Sequence, residues 1–93
     1  MIVLGMMIAF QTVLAQNFTV KGTIISKEDN EPLIGVAIRQ LENPDNGVIT
    51  DFDGNYAIEI KGKEATLSFT YLGMQEQQHK VTAATKTLNI EML

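Results

Sequence analysis

The sequence predicts an all-β fold, a seven-stranded Greek-key β-sandwich preceded by a secretory signal peptide. Three observations carry this. From Phe18 onward apolar side chains recur at every second position. The apolar runs are short, and clusters of Gly, Pro, Asn and Asp divide them at intervals of about ten residues, the spacing expected of a sandwich. Twelve of the first sixteen residues are apolar, against 30 of the remaining 77, so the chain changes character at Asn17. With 93 residues there is room for one domain, assigned to residues 16–93, behind a leader at 1–15.

The leader comes first. Met1 to Gln16 carries no charged side chain and closes on Val13-Leu14-Ala15. It falls short of the roughly 18 to 20 apolar residues that a spanning helix needs, so no direct membrane span is expected in this chain. An apolar core followed by small residues fits a signal for export, with cleavage between Ala15 and Gln16. The segment departs from the usual pattern in lacking a Lys or Arg ahead of the apolar run.

The strands follow in order. Phe18 to Ser26 places Val20, Gly22 and Ile24 on one face and Lys21 and Thr23 on the other, then stops at the polar turn Lys27 to Pro32. Gly35 to Leu41 turns Val36 and Ile38 inward and Arg39 outward, and the dense turn chemistry of Glu42 to Gly47 ends it. Val48 to Asp51 leads into Asp53-Gly54, which reads as a hairpin because Gly accepts positive φ. Asn55 to Ile60 alternates cleanly, with Tyr56, Ile58 and Ile60 inward. Ala65 to Tyr71 turns Leu67, Phe69 and Tyr71 inward and Ser68 and Thr70 outward, and Gly73 breaks the run. Gln75 to Val81 is polar enough for an edge strand, and Thr87 to Met92 closes the domain on Leu88, Ile90 and Met92.

Composition removes most catalytic chemistry. Without Cys there is no disulfide, thiolate metal site or cysteine nucleophile, and His79 is the single histidine, in a polar stretch read as a solvated edge. A net charge of −4 with no basic cluster argues against nucleic acid as a partner. Asp51 and Asp53 begin like a calcium loop, Asp-x-Asp-Gly, yet Ile60 stands where that loop needs its Glu. They read as turn residues instead. No cofactor or metal is expected, and the chain is read as a non-enzyme.

Four segments together carry a resemblance: Val20-Lys21-Gly22-Thr23, Glu31-Pro32-Leu33-Ile34-Gly35-Val36, Thr50-Asp51-Phe52-Asp53-Gly54-Asn55-Tyr56 and Ser68-Phe69-Thr70-Tyr71-Leu72-Gly73-Met74. In this combination the chain resembles the carboxypeptidase-regulatory-like domain, a transthyretin-like (prealbumin-like) sandwich found at the N-terminus of SusC-type TonB-dependent outer-membrane transporters of Bacteroidetes. The zinc carboxypeptidases behind the family name, and the histidine-dependent hydrolase that shares the fold, use residues absent here. The motif positions read as structural. Pro32 fixes φ ahead of the second strand, Gly35 admits a bulge or close backbone approach, and Thr50 opens the third motif. Asp51 and Asp53 accept backbone N–H groups beside Gly54, Tyr56 begins a buried face, and Tyr71 with Gly73 closes a strand at the rim of the core. Two departures stand out: the loop Glu42 to Gly47 is longer and more polar than the family's brief connection, and Met74 replaces an aromatic.

The resemblance implies a non-enzymatic accessory or docking domain of a SusC/RagA-like nutrient transporter, on the periplasmic side of the outer membrane. Implied protein partners are the transporter's plug and barrel, the TonB system and a SusD-like lipoprotein. Exposed strand edges and the Glu42 to Gly47 loop are the expected contact surfaces. The alternative is an exported sandwich with a different host, or a free-standing binding or adhesion module of the cell envelope.

Overall fold

A computed structural model describes residues 17–93. The expected leader at 1–15 and the Ala15–Gln16 cleavage point lie outside the described residues. Seven strands form two sheets, as the alternation requires: β1 (Phe18–Ser26), β2 (Ala37–Gln40), β3 (Gly47–Ile49), β4 (Asn55–Ile60), β5 (Glu64–Thr70), β6 (Gln77–Thr82) and β7 (Ile90–Met92). One sheet has the order β4-β1-β7 and the other β3-β2-β5-β6. All pairings are antiparallel except β1 with β7, where Ile24 faces Ile90 and Ser26 faces Met92 in parallel register.

The inward residues of the strands meet in one core, with β3 contributing only the partly buried Val48 at its margin. Val20, Ile24, Ile38, Ile58, Ile60, Leu67, Phe69, Val81 and Met92 are each at most 1% exposed. Fully burying such a side chain is worth about 1.5–3 kcal/mol, so this layer is the main favourable term in folding. Tyr56 from one sheet meets Phe69 from the other edge-to-face, with ring centroids 5.8 Å apart. Every buried side-chain polar atom among the described residues has a partner.

Several local expectations change. Asp53-Gly54 is not a hairpin: β3 pairs with β2, β4 pairs with β1, and the turn carries the chain from one sheet to the other. Ser68 takes the outward face, between inward Leu67 and Phe69, yet it is buried, because β5 is an inner strand whose neighbours Arg39 and Gln78 flank it in register. His79 lies on the edge strand β6, but its ring packs edge-to-face on Phe69 at 5.7 Å. Pro32 makes a single antiparallel bridge with Ile25, five residues before β2 begins, so it closes against β1 rather than leading directly into the second strand. Around Gly35 (φ 87°) there is open space, so its conformation, not a close approach, accounts for the glycine.

Gly22 owes its place to a close approach. A Cβ there would collide with the Leu88 carbonyl and stand 2.9 Å from the Tyr56 ring. The space is filled by the segment leading into β7, held by Leu88 N–H donating to Lys21 O (2.8 Å) and Lys21 N–H donating to Lys86 O (3.2 Å). The parallel strand can dock only because β1 has no side chain at that point.

The registers sort the loops between two ends. Ala37 faces both Ile49 and Thr70, so the chain entering β2, leaving β3 and leaving β5 gathers at one end. Leu33 N–H donates to Ile24 O (3.0 Å) and Ile24 N–H to Gly54 O (2.8 Å), which brings the tip of β1 and the start of β4 to the same end. Asn17 enters at the opposite end, where its side chain accepts from Gly62 N–H (3.4 Å).

Candidate functional site

The end gathered around Ala37 holds three of the four motif segments and is the candidate site. Its loops are tightly made. Thr50 clamps two of them: its buried hydroxyl donates to Leu33 O (2.6 Å) and accepts from Val36 N–H (2.9 Å), while its backbone bonds Gly35 and Val36 at 3.1 Å each. Asp51 shapes the next turn, one carboxylate oxygen accepting from both Asp53 N–H and Asn55 N–H at 2.9 Å. Gly54 closes it with φ 76°, and a Cβ there would lie 2.5 Å from Ile24 O and 3.1 Å from Pro32 Cβ. In the third loop Met74 N–H donates to Tyr71 O (3.1 Å), and Tyr71 and Met74 both pack against the core, with Gly73 (φ 82°) between them.

These turns push apolar side chains outward. Phe52 is 82% exposed, Leu72 95% and Ile34 50%, one from each loop. An open groove lined by Gly35, Thr70, Tyr71 and Leu72 runs beside them. Three large apolar side chains thus stand out to solvent from turns whose backbones are held by hydrogen bonds.

The polar side chains here are engaged in holding the turns. Asp51, the first residue of the calcium-like motif, has one oxygen committed to two backbone donors. Among the described residues no group of three or more His, Cys, Asp or Glu side chains is placed to hold a metal ion. His79 Nε2 lies 2.9 Å from Gln77 Oε1 on the same strand. Burial pushes the Tyr56 phenol up to about 12, and its hydroxyl donates to Leu88 O at 2.6 Å, a link across β1 between β4 and the segment entering β7 in the same sheet.

The loop from Glu42 to Gly47 lies at the opposite end and is tied to the frame. Gln40, 1% exposed, donates to Lys61 O (3.1 Å) and accepts from Asn46 Nδ2 (2.9 Å), which also donates to Glu59 O (2.7 Å). Sequence reasoning missed this network, although Gln40 follows Val36 and Ile38 on the inward side of the alternation. Glu42 ends the β2–β5 ladder: its carboxylate accepts from Thr66 N–H at 3.0 Å, in the place of a backbone carbonyl. That bond holds its carboxyl below the usual range.

A family model described as "CarboxypepD_reg-like domain" matches residues 20–93, which takes in all seven strands but the first two residues of β1. The chain belongs to the CarboxypepD_reg-like domain family. This CarboxypepD_reg-like domain is also similar to named proteins. It is 45% identical over 71 residues to TonB-dependent receptor P3 of Formosa agariphila, covering 76% of this chain and 7% of the relative. It is 36% identical over 69 residues to TonB-dependent receptor SusC of Bacteroides thetaiotaomicron, covering 74% and 7%. A third relative, TonB-dependent receptor P39 of Formosa agariphila, is 37% identical over 59 residues, covering 63% and 6%. The CarboxypepD_reg-like domain therefore spans well under a tenth of each of these relatives. The sandwich and family expected from the motif combination are those found, and among the described residues no helix is long and apolar enough to cross a membrane.

Proposed function

We propose that the chain is an exported, non-enzymatic accessory domain of a SusC/RagA-like TonB-dependent outer-membrane nutrient transporter, lying on the periplasmic side and working through protein contacts. The observation that carries this is the 45% identity over 71 residues to a TonB-dependent receptor. The leader at 1–15, cut between Ala15 and Gln16, belongs to the same proposal and would deliver the domain outside the cytosol. The transporter's plug and barrel, the TonB system and a SusD-like lipoprotein are the proposed partners. A β-sandwich with rigid turns and no convergent polar site supports a docking role over a chemical one.

The test is the native product in its own cells, followed with an antibody against residues 17–93. A band far heavier than 10.3 kDa in the outer-membrane fraction is the expected result. A soluble species of 10.3 kDa or less would overturn the transporter reading.

A further inference from the structure

The loop end has a charge pattern that composition hides. Its loops carry Glu28, Asp29, Glu31, Asp51, Asp53 and Glu76, all exposed, against Lys27 alone. The other six of the seven basic residues lie on the strands, at the far end and, for Lys86, on the segment beside β1 that leads into β7. The exposed Ile34, Phe52 and Leu72 thus sit within an acidic rim. The chain also leaves the sandwich here: β7 runs parallel to β1, Lys27 N–H donates to Met92 O (2.9 Å), and Gln75 N–H in the third loop donates to Leu93 O (2.8 Å).

Resting on the transporter reading above, we propose that this end is the seat of the domain on the rest of its own receptor polypeptide. The receptor surface that meets it is apolar with basic side chains around it. The relatives matched are receptors of which this segment is 6–7%, so the body to be contacted is large and covalently joined. Strand β7 delivers the chain to that body at the acidic end. A second copy of the domain is a poor occupant, because two acidic ends would face each other. Residues 1–16 are joined at the far end, through Asn17. The Glu42 to Gly47 loop lies at that far end too, so it is not the seat.

The experiment uses the full-length receptor in its own cells, with a benzophenone amino acid placed at Phe52, at Leu72 or, as control, at Asp45. All three sites are exposed, so the replacements leave the core untouched. Irradiated receptor is recovered from the outer membrane and its crosslinked peptides are mapped by mass spectrometry. The expected result is internal crosslinks from 52 and 72 to downstream receptor segments bearing Lys or Arg, at several times the yield from 45. Glu28→Lys with Glu76→Lys is expected to lower that yield several-fold. Crosslinks from 52 and 72 to another protein, to a second copy, or no better than from 45 would overturn the seat and leave the transporter reading standing. A product of 10.3 kDa or less outside the outer membrane would overturn both.

Discussion

The carbonyl of Leu88 occupies the space that a side chain on Gly22 would need, and the Tyr56 hydroxyl donates to that same carbonyl at 2.6 Å. One missing side chain on β1 therefore sets where the last segment of the domain lies and where β7 leaves it.

Gly22→Ala is expected to destabilise the domain by about 3 kcal/mol, because backbone on one side and a packed ring on the other leave little room to relax. Gly73→Ala, where φ is 82° but space is open, should cost only about 1 kcal/mol. Urea unfolding of both variants checks the ranking. Equal losses would mean that the Leu88 approach is not what excludes a side chain.

Thr50→Val keeps the shape of the side chain and removes its hydroxyl, leaving the buried Val36 N–H without its acceptor and Leu33 O without a donor. A loss of about 2 kcal/mol is expected, with Thr50→Ser retaining most of it. Denaturation midpoints of the two variants decide between hydroxyl and methyl.

Tyr56 gives the domain an alkaline limit. Its phenol is held at about 12 in the fold, against about 10 in an unfolded chain. The unfolded state loses its proton first, so stability is flat below about pH 10 and falls by up to about 3 kcal/mol toward pH 12. Tyr56→Phe should remove this slope while losing about 1 kcal/mol at neutral pH with the Leu88 hydrogen bond. An unfolding series across that pH range, showing the same slope in both proteins, would refute the assignment.

Glu42 acts at the other extreme. Its carboxyl is lowered chiefly by the Thr66 backbone N–H, so its contribution is present above the ordinary value of 4.5 and is lost as the pH falls below it. Glu42→Gln should flatten the acid limb of the urea midpoint measured from about pH 7 to about pH 3. An unchanged limb would assign acid sensitivity to other carboxylates.

The strands themselves were readable because alternation is local: Tyr56, Ile58 and Ile60 declare a buried face within six residues, and β4 has the bounds expected of it. The second strand is shorter than the expected Gly35 to Leu41: the ladder runs only over Ala37–Gln40, although the Thr50 backbone already bonds Gly35 and Val36. The burial of outward-facing Ser68 is not legible in the sequence, because alternation tells which face a residue takes, not whether strands flank it on both sides.

The candidate site was legible only in pieces. Apolar Phe52 and Leu72 inside turn-forming segments were a signal, since a turn has no need of them. That they share an end with Ile34 follows from Ala37 facing both Ile49 and Thr70, residues far away in the chain.

By itself the sequence determined the all-β class, the seven strands, the family and most of the buried faces, because side-chain periodicity and turn chemistry are properties of neighbouring residues. Tertiary structure alone decided that Asp53-Gly54 joins two sheets, that β7 lies parallel to β1, that Gln40 anchors the far loop, and that the acidic charges surround the apolar tips. Each of these depends on which strands pair and in what register. That choice is made by burying the whole core at once, and no short stretch of sequence contains it.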